Sequence, residues 1–235
     1  MSARAGCFAG CVPSVIALDL ARAVPPLSRV LCLGAHADDL EIGCSGTVLT
    51  LVEQNRRVGV TWVVFSASGE RAREALESAR TLLASVEDKD IIVKDFRDGF
   101  LPHHGAQVKE AFEEIKTRVA PDVIFTHHRQ DLHQDHQLIA DLTWQTFRDH
   151  LILEYEVPKY DGDLGAPNVF VPLPEPVCRR KIAHILASFP SQAGRRWFRE
   201  DVFTSLLRLR GLEANAPTDH AEAFYVRKLR LSSHA

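Results

Sequence analysis

Apolar residues along this chain fall into short unbroken runs, separated by longer stretches in which they recur every three or four positions. Unbroken runs of four to eight predict buried strands, and the 3.6-residue recurrence predicts amphipathic helices. Residues 29–35 (RVLCLGA) are the first such strand. Residues 45–55 follow with Val48, Leu49 and Val52 at helical spacing and Ser45 placed to cap them. Residues 58–65 (VGVTWVVF) are nearly all apolar, as expected of a strand covered on both faces in a parallel sheet. Helices are predicted at 71–83, 107–119 and 133–147, and strands at 90–96 (DIIVKDF) and 122–126 (DVIFT). Strands alternating with helices through short connections predict an α/β fold, a doubly wound, mostly parallel sheet with helices on both faces.

The remainder is less regular. Strands are expected at 151–157, 169–171 and near 224–227, and helices at 178–189 and 196–209. No repeat, low-complexity segment or Pro/Gly linker divides the chain, so residues 29–235 are expected to form one domain, with a core at 29–150 and a substrate-recognition and C-terminal part at 151–235. Residues 1–28 carry no assignable element; a short helix on the sheet and a partial arm both suit them.

Composition narrows the function classes. A formal net charge of −3 over 235 residues gives no general bias toward nucleic acid or anionic membrane. The longest apolar stretch near the N-terminus, residues 12–20, is broken by Pro13, Ser14 and Asp19; it is too short for a membrane span and poor as a signal peptide. A cytoplasmic enzyme is expected. The five cysteines, Cys7, Cys11, Cys32, Cys44 and Cys178, include no C-x-x-C pair, which predicts reduced, mostly buried thiols rather than a disulfide framework or cysteine zinc site.

Chemistry concentrates where two strands end. The first strand runs directly into His36-Ala37-Asp38-Asp39-Leu40-Glu41-Ile42-Gly43, and the fourth into His127-His128-Arg129-Gln130-Asp131-Leu132-His133-Gln134-Asp135-His136. Ligands of open α/β sheets bind outside the carboxyl ends of the strands, and the two clusters meet if strands one and four are neighbours. A catalytic zinc takes three protein ligands and keeps a position open, and two histidines with one carboxylate supply that number. The same set matches the facial triad of non-haem iron oxygenases, so Fe2+ or another divalent ion stays open. The surplus acids and histidines suit proton transfer and favour zinc. No G-x-S-x-G elbow is present, and Gly34, Gly43 and Gly46 make no dinucleotide fingerprint.

Ala35-His36-Ala37-Asp38-Asp39 resembles the A-H-P-D-D signature of the LmbE-like, or PIG-L, deacetylase family, with Ala37 in place of the usual proline. Asp131-Leu132-His133-Gln134-Asp135-His136 resembles its second signature, commonly D-T-H-P-D-H. The resemblance implies a Rossmann-like fold and zinc-dependent deacetylation of N-acetylglucosamine-containing compounds and related amides. Carried over by motif position, it implies His36, Asp39 and His136 as zinc ligands and Asp38 as general base. His133 is implied as the group that stabilises the oxyanion or protonates the leaving amine, with His127 and His128 as rivals on the same strand end.

Further matches are looser. Arg71 and Glu74 fit the family's R-x-x-E, in which the arginine is implied in substrate binding; an exposed surface pair is the alternative. Asp98 falls where the family places an acid for sugar hydroxyls, though an Asp-Gly turn explains it equally well. Arg129 is expected to reach an anionic part of the substrate. Asp135 is expected to orient a neighbouring histidine, or merely to favour the helix N-terminus. Ser191-Gln192 resembles a C-terminal S-Q element, with Phe189 where a histidine is common. His103 and His104 adjoin a predicted turn and are expected to be exposed. Residues 155–165 have the aromatic and acidic character of a sugar-recognition loop. The expected partner is therefore a small N-acetylated sugar, with a homo-oligomer left open. A non-catalytic metal- or nucleotide-binding protein and an iron oxygenase remain the rival readings.

Overall fold

In the computed structural model, which describes residues 18–20, 23 and 26–230, strand β1 (Arg29–His36) is buried from Val30 to Ala35. Its side chains alternate between two cores. Leu31, Leu33 and Ala35 face one, and Val30 and Cys32 the other, which is why the run carries no polar period. The fully buried β2 (Gly59–Ser66) divides likewise, with Trp62 in one core and Phe65 in the other. The remaining strands are β3 (Lys89–Val93), β4 (Val123–His127), β5 (Leu151–Tyr155), β6 (Val169–Pro172) and β7 (Ala221–Tyr225).

These strands form one sheet in the order β3-β2-β1-β4-β5-β7-β6. β1 to β5 are mutually parallel, and β7 and β6 close the edge antiparallel. One face carries α2 (Ser45–Gln54), α3 (Gly69–Leu82), α6 (Glu175–Ser188) and α7 (Glu200–Glu213). The other carries α4 (Gly105–Arg118) and α5 (Gln134–Thr146). This is the expected α/β sheet with helices on both faces. After β1 the chain winds outward to β3, then returns to place β4 on the other side of β1. The ends of β1 and β4 therefore lie at the topological switch point, where open sheets bind ligands.

Several stretches depart from the periodicity; β3 stops at Val93, not 96, and α6 begins at Glu175, not 178. The last helix begins at Glu200, not 196, because Phe198 turns into the core and its N–H closes a turn on Arg195 O at 3.2 Å. Glu200 and Asp201 then occupy the first turn, which suits the helix dipole. The last strand starts at Ala221, not 224, because small alanines flank a charged Glu222 that turns inward. Its carboxylate accepts the N–H groups of Gly46 and Thr47 at the start of α2, 2.8 and 2.7 Å away, and pairs with Lys181 of α6. Lys181 also donates to Ile42 O at 2.6 Å. One buried ion pair thus ties β7, α2 and α6 together. A short helix α1 (Asp39–Gly43), absent from the sequence reading, packs Gly43 so closely on Tyr155 that a Cβ there would stand 2.1 Å from ring carbon Cδ2.

Cys32, Cys44 and Cys178 are free and buried, while Cys7, Cys11 and most of residues 1–28 lie outside the described residues. Among the described residues no helix is long and apolar enough to cross a membrane.

Candidate metal centre

The end of β1 and the start of α1 fold the first cluster onto itself. The backbone N–H of His36 donates to Asp39 Oδ2 at 2.6 Å, which turns that carboxylate back across the strand end. From the other side, His133 caps the N-terminus of α5, its Nδ1 accepting the N–H of Asp135 at 3.2 Å. His136 is one turn further into that helix.

Three donors converge. His36 Nδ1 lies 3.1 Å from His136 Nε2 and 3.3 Å from Asp39 Oδ2, and His136 Nε2 lies 3.5 Å from Asp39 Oδ1. Ligand atoms held about 2.1 Å from a tetrahedral zinc stand about 3.4 Å from one another. The outward nitrogens are occupied: His136 Nδ1 is 2.9 Å from Asp131 Oδ2, and His36 Nε2 is 3.2 Å from both Asp135 Oδ2 and Asp98 Oδ1. A ring whose outward N–H is taken by a carboxylate presents its inward nitrogen as a lone-pair donor. Two such lone pairs and a carboxylate facing one another suit a cation between them. The residues present fit a divalent metal.

The field around these groups agrees. Burial alone would depress the His36 pKa, but Asp39, Asp135 and Asp98 outweigh it and hold the ring well above its ordinary value. Burial would raise Asp39, yet His136, His127 and His36 pull it well below the carboxylate range. His136 is lowered to about 4, by burial and then by His127. The site therefore favours a positive charge at His36, which either a proton or a metal ion at Nδ1 can supply, and keeps Asp39 anionic. Three other donor trios lie within reach among the described residues: His36 with His133 and His136, Asp39 with His127 and His136, and His36 with Asp98 and Asp135. His127 is wholly buried, stacked on His136 at 3.8 Å, and its Nε2 accepts the N–H of Ala35 at 2.9 Å.

Asp38 is buried beside this cluster. Its Oδ1 accepts from Arg71 Nη2 at 2.8 Å, while its Oδ2 is buried without a partner among the described residues. Burial raises its pKa, against the opposing pull of Arg71. Glu74, itself buried, fixes Arg71 and accepts both the N–H and the hydroxyl of Ser191, at 2.9 and 2.6 Å. Arg71 and Glu74 are thus not a surface pair, and the 190s loop is bound to the base of the site. Phe189 is buried under the Arg71 guanidinium.

A cavity of about 430 Å3 opens over these groups, lined by His36, Asp38, Asp39, Arg71, Asp98, His133 and His136 together with loop residues that include Lys159 and Tyr160. Asp135 sits behind His36, accepting the N–H groups of Gly99 and Leu101. Arg129 is placed elsewhere: it pairs with Asp141 at 2.6 Å and lines a larger cavity of about 900 Å3 with His128 and Tyr225. None of the donor trios faces that larger space, so the smaller cavity is the chemical one. His133 reaches the smaller cavity, and His128 does not. His103 and His104 lie in a helical turn ahead of α4, outside both.

The sequence reading missed Asp131, although it opens the second motif five residues before His136. Its carboxylate is held ionised, well below its ordinary range, because His136 and Lys159 outweigh its burial. Lys159, from the expected recognition loop, and Gln192, from the S-Q element, also line the cavity with Arg195 and Trp197; no local pattern marks the last two, since only the path of the loops brings them there.

A family model described as PIG-L, GlcNAc-PI de-N-acetylase, matches residues 31–147. An uncharacterised deacetylase of Escherichia coli K12, YaiS, is 27% identical over 136 residues, covering 55% of this chain and 74% of its own. Among solved structures, the N,N'-diacetylchitobiose deacetylase of Pyrococcus horikoshii superposes with a TM-score of 0.65 at 20% identity, covering 89% of this chain and 87% of its own. The 4-carboxy-2-hydroxymuconate hydratase GalB of Pseudomonas putida KT2440 does so at 0.64 and 14%, covering 89% and 100%. Proteins with this fold are thus named for more than one reaction.

Proposed function

We propose that this chain, which belongs to the PIG-L family through residues 31–147, is a zinc-dependent N-deacetylase that releases acetate from an acetamido sugar. The observation that carries the reading is the convergence of His36, Asp39 and His136 within 3.5 Å beside an Asp38 oxygen that is buried without a partner among the described residues. A non-catalytic binding site has no need of that second carboxylate. The names of the similar deacetylases support the acetamido class.

His36, Asp39 and His136 would hold the metal, which supplies a Lewis acid to polarise the amide carbonyl and to make water a stronger acid. Asp38 accepts the proton of the attacking water at Oδ2, while Arg71 fixes its other oxygen. The raised pKa of Asp38, caused by burial, makes the carboxylate a better base than an exposed one. His133 accepts at Nδ1, so its ring hydrogen sits on Nε2. Burial lowers its pKa, which suits a neutral donor to the developing oxyanion. Collapse of the tetrahedral centre breaks the C–N bond. The proton held by Asp38 then passes to the leaving nitrogen, giving a free amine and acetic acid, which releases its proton to become acetate.

The test is acetate release from a panel of N-acetylated sugars by zinc-loaded protein, with metal content measured on protein purified without chelator. Zinc near one equivalent and release from at least one sugar are expected. Loaded protein that releases acetate from none of them overturns the reading, and a hydratase assay is then the next measurement, given the shared fold.

A further inference from the structure

Three cationic side chains line the cavity, and two are committed. Arg71 is spent on Asp38 and Glu74, and Lys159 on Asp131 and Asp163. Among the described residues the Arg195 side chain has neither an ion pair nor a hydrogen bond, although it lines the same cavity. Asp161, also lining it, is likewise uncommitted, and the two do not pair with each other.

The segment carrying Arg195 is fixed at several points. Phe189 and Phe198 are buried at its two ends, and Ser191 is bound to Glu74 through both N–H and hydroxyl. Two turns, Arg195 N–H to Gln192 O at 2.9 Å and Phe198 N–H to Arg195 O at 3.2 Å, set the backbone between them. Trp197, edge-on to Phe198 with centroids 5.5 Å apart, presents an aromatic ring to the same space. The Arg195 side chain is exposed on this fixed backbone, and an unpaired guanidinium lining the cavity is suited to a planar or tetrahedral oxyanion, which its fork meets with two hydrogen bonds. A cavity of about 430 Å3 has room for one sugar with a small substituent, being toward the lower end of the roughly 300–1,000 Å3 of small-molecule sites.

We propose that Arg195 is the specificity-determining residue of this cavity, and that the acetamido sugar carries a phosphate or carboxylate that Arg195 binds. The inference rests on the deacetylase reading for the sugar, but not for the anion. Sugar hydroxyls fall to the other uncommitted groups, Asp161 and the phenol of Tyr160. The anion compensates a cation that would otherwise share one cavity with the metal ion.

The experiment is calorimetric binding of N-acetylglucosamine, its 1-phosphate and N-acetylmuramic acid to zinc-loaded wild type, Arg195→Gln and Arg195→Lys. At least one anionic sugar is expected to bind wild type about tenfold tighter than the neutral one. That preference is expected to vanish in Arg195→Gln, return in part in Arg195→Lys and shrink with added salt. The phosphate and carboxylate arms tell the two sources apart. Equal binding of all three sugars to wild type overturns the proposal, as does a preference that survives Arg195→Gln. Acetate release by wild type tests the deacetylase reading separately: an Arg195-dependent preference without acetate release leaves the anion site standing and removes only the reaction.

Discussion

Asp131 Oδ2 lies 2.9 Å from His136 Nδ1, and Lys159 Nζ sits 2.8 Å from the same oxygen. A carboxylate so placed fixes which imidazole nitrogen carries the hydrogen and aims the other at the metal position. Lys159 belongs to the loop over the cavity, so this one oxygen joins that loop to the donor set. Asp131→Asn is expected to weaken zinc binding roughly 10–100-fold, measured by competition with a chromogenic chelator. Unchanged zinc affinity would show that the carboxylate does not orient His136.

Asp38 and Asp39 are adjacent and both buried, yet their loss should differ in kind. Asp38→Asn is expected to lower kcat for acetate release by roughly 10^2–10^4 with zinc stoichiometry retained. Asp39→Asn should lose zinc as well, because Asp39 supplies the only carboxylate among the three convergent donors. Elemental analysis beside the rate assay separates the two. An Asp38→Asn enzyme with near-normal kcat would reassign the base.

Much of this was legible because unbroken apolar strands dictate the sheet, and the sheet dictates where strand ends meet. The residues 29–35 and 122–126 announce two buried strands, and their adjacency at the switch point brings His36 and His136 together without any contact being readable locally. Arg129 shows the limit: one residue past His128, it turns away to Asp141, a choice made by the turn after β4 rather than by composition. Glu222 was unreadable for a different reason. An inward carboxylate looks like a break in a strand until Lys181, 41 positions away, is seen to neutralise it.

That buried pair carries a stability prediction. With Lys181 and Glu222 side chains 3% and 2% exposed, removing one partner strands the other charge and the N–H groups of Gly46 and Thr47. Glu222→Ala is expected to cost about 3–5 kcal/mol, read as a lower urea midpoint at unchanged m-value. Pairing it with Lys181→Met should recover part of the loss, because the double variant leaves no buried charge. A single variant within about 0.5 kcal/mol of wild type, the range of ordinary surface changes, would show the pair to be incidental.

Glu41, wholly buried in α1, gives the last prediction. Burial pushes its pKa from 4.5 up to about 8, against a hydrogen bond from Ser78 Oγ, and its Oε2 has no partner among the described residues. An acid with a raised folded-state pKa keeps its proton in the native state while the unfolded chain releases it. Protons bound in the native state then exceed those in the unfolded state between pH 4.5 and about 8, so stability falls as pH rises through that window and levels off above it. Glu41→Gln keeps the shape and a donor but removes the titration. The difference in unfolding free energy, variant minus wild type, should therefore grow from pH 4.5 to 8 in favour of the glutamine, whatever other groups contribute to both curves. Chemical denaturation of both proteins across that range measures it. A difference that is flat with pH would mean that Glu41 is ionised in the folded protein, and that its unpartnered oxygen finds a cation or a solvent path.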